Sequence, residues 1–170
     1  MIDLEGTIRQ LAASAEAIRV LVEAVAEVQA EWQPDPKSWS LKEVMRHLYS
    51  EESTDFRRHL RELWHEPPIL RGKLAVERHP PTRDCRQALE GFLDERAASL
   101  EWLRSLEAPD WAAAQQVAFG PSEVITLSAG DVMVSWVAHD YLHIRQINEL
   151  LYAWHKRQAE PHSVRYAGAW

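Results

Sequence analysis

His139 and His143 stand four residues apart, so on a helix both imidazoles project from one face and can share a metal ion. They interrupt a run of apolar residues spaced by threes and fours: Val132, Trp136, Ile147, Leu150 and Trp154. Imidazoles in the middle of an apolar stripe must either find hydrogen-bond partners in the core or hold a ligand, and the spacing alone accommodates both. A metal site needs a third donor. His47 is the candidate, because helical bundles build metal sites from facing helices. At about 100° per residue it lies about 60° from Val44 and about 100° from Leu48, on the flank of an apolar face, so periodicity by itself does not select it. The same arithmetic sets His59 and His155 about 120° round from His47 and His143 and predicts both to be solvated. His65, His79 and His162 fall in expected loops or in the tail, where exposure is the default.

Other residues could assist. Asp140 and Gln146, each three residues from His143, and Glu51, one turn beyond His47, could orient a ligand ring, although polar residues at such positions equally suit a solvated face. Cys85 falls near an expected helix N-terminus beside Arg83 and Arg86, a setting that lowers a thiol pKa, yet burial as a small apolar residue is the expectation. Arg57, Arg58, Arg61 and Glu62 read as a solvated helix face, and most of the eight Trp as core or loop packing.

Four elements must position these residues. Leu4, Ile8, Leu11, Ala15, Ile18, Val22 and Val25 form one unbroken ladder, predicting a helix over 2–31 that Pro34 and Pro36 close off. Ser40 with Glu43 makes a capping box, and Trp39 before it can staple onto Val44, opening a helix over 40–65 that ends at Pro67-Pro68. The proline-rich stretch 65–81 is a long connection. Leu89, Phe92, Leu93, Leu100, Leu103 and Leu106 predict a third helix over 83–107. A loop with room for a short strand or a turn of helix follows, and Ser128 with Asp131 caps a fourth helix over 128–157. Matched lengths make the fold all-α, a four-helix bundle.

The 170 residues suit one domain. Nineteen Lys and Arg against 26 Asp and Glu leave a net charge of −7, which repels phosphate backbones and anionic bilayers and so excludes nucleic acid as a partner. No apolar run approaches the roughly 18 residues of a membrane span, and the opening MIDLEGTIRQ has no basic region leading into an apolar block. With one cysteine there is no intramolecular disulfide, which fits a reducing, cytoplasmic compartment.

The segment Trp39-Ser40-Leu41-Lys42-Glu43-Val44-Met45-Arg46-His47-Leu48, followed by Glu51-Glu52, resembles the second-helix motif of the DinB/YfiT-like family. Trp136 to Ile147, with His139, His143 and the following Gln146-Ile147, resembles its last-helix motif, and Tyr166-Ala167-Gly168-Ala169-Trp170 its ending. The resemblance implies a bundle of up-down-down-up topology in which His47, His139 and His143 ligate a divalent ion such as Zn or Ni. It further implies a small-molecule substrate, with relatives acting as S-transferases or isomerases that use a low-molecular-weight thiol (bacillithiol, mycothiol or glutathione) on a small electrophile. A homodimer is expected from family habit and from the many tryptophans. A non-catalytic bundle that binds metal or a small ligand is the alternative.

Overall fold

The computed structural model describes residues 2–65, 82, 84–119 and 123–168. Helix α1 (Leu4–Val22) is capped by Asp3, whose side chain accepts from the Gly6 amide at 2.9 Å. It ends nine residues before the expected position: the chain turns at Glu23 and Ala24 and resumes as the short α2 (Glu27–Ala30). The reason is length matching. The 19 residues of α1 span about 28 Å and pair with the 20 of α5 (Cys85–Arg104), so a straight continuation would leave the bundle. The turn instead folds Val25 and the buried Ala30 back onto the same core.

The second expected helix is also two pieces, α3 (Leu41–Thr54) and α4 (Phe56–Leu63). The capping box between Ser40 and Glu43 forms as read. The break falls at Asp55, with φ −109° and ψ −94°. Ser53 and Thr54 both donate side-chain hydroxyls to the Ser50 carbonyl, at 3.0 and 2.8 Å, competing with the backbone ladder where the helix bends. Between α5 and the last helix, strands β1 (Ala114–Phe119) and β2 (Glu123–Ser128) form an antiparallel hairpin that seats Val117 in the core. Helix α6 (Ala129–Gln158) follows directly, its own capping box joining Ser128 and Asp131.

The core has two apolar clusters. One joins Ala15, Ile18 and Val22 of α1 to Leu41, Val44, Met45 and Leu48 of α3, Cys85, Ala88, Leu89 and Phe92 of α5, and Ile147 and Leu150 of α6. The other joins Ile8 and Leu11 to Leu60, Leu63, Leu103, Val117 and the N-terminal half of α6 down to Trp136. On α1, α3, α5 and α6, polar residues are buried between the two clusters: Ser14, Glu52, Arg96 and Asp140 are each at most 4% exposed. Arg96 reaches Asp140 through both terminal nitrogens (2.7 and 2.9 Å), Glu52 at 2.9 Å and the Leu11 carbonyl at 2.8 Å. Ser14 donates to Asp140, and the Trp136 indole donates to Glu52 at 3.0 Å. Burial opposes the charge on Arg96, but Glu52 and Asp140 hold the guanidinium protonated.

Two expectations change here. His59, expected in solvent, is 3% exposed, because the bend at Asp55 resets the helical phase and the wheel angle from His47 no longer applies. Asp140 faces Arg96 at the bundle waist rather than a histidine ring. Cys85 is buried as expected, and burial, then Glu27 and Asp84, push its thiol up to about 12, which removes it as a nucleophile at neutral pH. Among the described residues no helix is long and apolar enough to cross a membrane. His79 lies outside the described residues.

Candidate metal centre

The capped start of α3 sends His47 toward α6, which presents His139 and His143 one turn apart. Their Nε2 atoms converge: His47 to His139 is 3.1 Å and His143 to His139 is 3.2 Å. One ring nitrogen from each of the three residues lies within 4.8 Å of the others. Nitrogens bound to one tetrahedral zinc at 2.0–2.1 Å would stand about 3.3 Å apart, so the observed spacing fits a shared ion.

The protonation chemistry fits as well. His143 Nδ1 lies 2.8 Å from Gln146 Oε1, and a proton on Nδ1 donated to that oxygen leaves Nε2 with its lone pair facing the centre. Burial, then the neighbouring His143 and His47, lower His139 to about 3, and burial also lowers His143. Both rings are therefore neutral at pH 7, the form that ligates. Among the described residues these three histidines are the cluster able to hold a metal, and the remaining positions stay open for water or substrate.

The aromatic neighbours of the histidines carry no signal in the helical spacing, whereas Glu51 lies beside His47 as the sequence allowed. Trp39 stands 41% exposed with its ring edge-on to His47, centroids 5.2 Å apart, and Phe56 packs against His139 at 5.2 Å. Phe56 is placed by the bend at Asp55 and stacks on Trp136. Glu51 Oε1 lies 3.8 Å from His47 Nδ1 and continues a row at four-residue spacing through Asp55 to His59, whose Nδ1 is 2.6 Å from Asp55. Burial and then the Asp55 charge raise Glu51 to about 7, while Asp55 is lowered overall, its burial outweighed by His59 and further partners. The four-residue spacing was visible in the sequence, and the burial that couples it was not. His155 and His162 are exposed, as expected. A groove of about 560 Å³ opens beside His143 and Gln146, walled by Lys37, Trp39, Glu149 and Leu150.

Two outcomes follow for the metal-free protein and its loading. Changing Gln146 to Ala should weaken metal affinity by about 10–100-fold without unfolding the bundle, as read by competition with a chromogenic chelator. Stability should also fall in acid. The unfolded chain protonates His139 near its ordinary 6.5 whereas the native site does so only near 3, so this contribution is lost as pH falls between those values. Glu51 acts in the opposite sense: its native value near 7 against 4.5 unfolded makes the native state bind the extra proton as pH falls from 7 to 4.5. The two oppose each other above about 4.5, so urea titrations should show the steepest loss below it, and Glu51→Gln should extend the loss upward toward 6.5.

A helical bundle whose last helix and a facing helix supply an open three-histidine centre is the class of protein that fold and site define. The chain belongs to the DinB superfamily, whose family model matches residues 10–147. Among solved structures it is similar to YfiT from Bacillus subtilis, described as a probable metal-dependent hydrolase with an unusual four-helix bundle topology. The TM-score is 0.69 at 18% identity, covering 88% of this chain and 87% of that one. No curated protein matches it by sequence.

Proposed function

We propose that the chain is a metal-dependent enzyme in which His47, His139 and His143 hold one divalent ion, zinc or nickel, and act on a small molecule lying in the adjacent groove. The observation that carries this reading is the convergence of three imidazole nitrogens at the spacing of a shared ion, on the edge of an open groove. When bound, such an ion makes a thiolate or hydroxide available near neutral pH. The thiolate of a low-molecular-weight thiol attacking a small electrophile is the reaction favoured by the family resemblance, and YfiT's description supports hydrolysis with water in the same position.

The protein's own groups bind and orient. Gln146 fixes the His143 ring, Trp39 and Phe56 wall the histidines on two sides, and Lys37 and Glu149 set opposite charges along the groove. The test is metal analysis of protein purified without a nickel column, then a screen of thiols with electrophiles and of hydrolysable substrates. Chelation should abolish turnover and leave most helix content, since the apolar clusters do not include the three histidines. Turnover that survives complete demetallation would overturn the mechanism. A metallated protein without turnover would instead support a non-catalytic binding bundle.

A further inference from the structure

Three imidazoles can share an ion only while each ring aims a nitrogen at it, and the χ2 torsion of histidine is broad and roughly two-fold, so the backbone alone does not fix that aim. The three rings are held differently. His143 has Gln146 Oε1 at 2.8 Å from Nδ1, and His47 has Glu51 Oε1 at 3.8 Å from Nδ1. A ligating histidine almost always gives its second ring nitrogen to a polar partner, yet among the described residues His139 makes its hydrogen-bond contacts through Nε2 alone. Besides the other two histidines, the ring against it is Phe56, edge-on with centroids 5.2 Å apart and planes at 62°. Phe56 in turn lies flat on Trp136, at 5.4 Å and 7°. The Trp136 indole donates to Glu52 Oε2 at 3.0 Å, so the stack ends on a buried carboxylate that also accepts from Arg96.

A helix is interrupted to put Phe56 there. Nine residues beyond His47, Phe56 would stand about 180° round a continuous helix, at about 100° per residue, on the side away from the ligands. The break at Asp55 resets that phase. On the reading that the three histidines hold an ion, we propose that Phe56 is the positioning residue of His139, seated by the break between α3 and α4 and backed by the Trp136–Glu52 hydrogen bond. Ring packing takes at His139 the place that Gln146 takes at His143. Aromatic pairs are directional, favouring edge-to-face contact at about 4.5–7 Å between centroids, so Phe56 restricts rotation of the imidazole where an aliphatic side chain of similar bulk would only fill space. Trp136 precedes His139 by three residues on α6, so the ligand and the ring that backs its orienting partner share one helix face. Rotation of α6 that moved His139 would therefore carry Trp136 with it and break the bond to Glu52 on α3, the helix that supplies His47.

Phe56→Leu keeps apolar bulk and removes the ring. At the strength of one aromatic pair, it should weaken zinc affinity by about 2–12-fold in competition with a chromogenic chelator, and it should alter the d–d absorption of the cobalt-substituted protein. Phe56→Tyr, which retains the ring, should return both to wild type. Trp136→Phe keeps a stacking partner but loses the donor to Glu52, and should lie between the two. Leu100→Ala, in the same apolar cluster but on α5, should lower the urea midpoint at least as far as Phe56→Leu and leave zinc affinity and the cobalt spectrum unchanged. In the metal-free protein, nuclear Overhauser contacts should join the Phe56 ring to the imidazole protons of His139. Wild-type affinity and cobalt absorption in Phe56→Leu would overturn the proposal while leaving the metal centre standing. An equal loss of affinity in Leu100→Ala would do so too, by assigning the effect to lost stability. Wild-type protein that binds no zinc would overturn the metal centre itself, and this role of Phe56 with it.

Discussion

Replacing His139 by alanine is expected to abolish stoichiometric binding of a divalent ion, a larger loss than the roughly 10–100-fold that removal of an orienting partner brings. His139 lies 3.1 Å from His47 and 3.2 Å from His143, so its loss leaves only two imidazoles, too few donors to hold the ion firmly. His47→Ala and His143→Ala should behave alike. His155→Ala, exposed on α6, should leave affinity unchanged. His59→Ala should lower stability by about 1–3 kcal/mol, because it leaves the Asp55 carboxylate without its buried partner, yet the ligands would remain. Isothermal titration of zinc into apo-protein separates the two kinds of loss. Equal losses from the central three and from His155 would eliminate the site.

The second large effect concerns stability. Arg96→Ala should cost about 3–5 kcal/mol in urea unfolding, because Glu52 and Asp140 would be left as two buried carboxylates without a cation. The diagnostic lies in the comparison. Desolvating the three charges offsets much of their attraction, so replacing Arg96, Glu52 and Asp140 together by apolar residues of similar volume should recover most of the loss, within about 1–2 kcal/mol of wild type. If Arg96→Ala is tolerated with less than about 1 kcal/mol, the network is more hydrated than its near-complete burial indicates. The single substitution should leave metal stoichiometry intact in protein that remains folded, since none of the three histidines bonds to Arg96.

Much of this was readable along the chain because it is local. Which residues of a helix share a face follows from 3.6 residues per turn, and the ladders from Leu4 to Val22 and from Val132 to Leu150 are the buried faces of α1 and α6. The capping boxes at Ser40 and Ser128 are equally local, since their hydrogen bonds close within three residues. The pair His139 and His143 belongs to the same class of information.

What required the tertiary structure is the placing of one helix against another. His47 sits on the flank of its own apolar face, and it becomes part of the centre only because α6 lies across that flank. The bend at Asp55 depends on how α3 and α4 must both pack, and it turns His59 inward and sets Phe56 beside His139. Arg96 falls on the apolar ladder of its own helix, seven residues from both Leu89 and Leu103, but helical spacing does not name its partners, Glu52 and Asp140, each 44 residues from it along the chain. Periodicity specifies rotation about a helix's own axis. The relative rotation and axial offset between helices are set by packing and by charges brought together from distant parts of the chain, and these decide which of eight histidines meet.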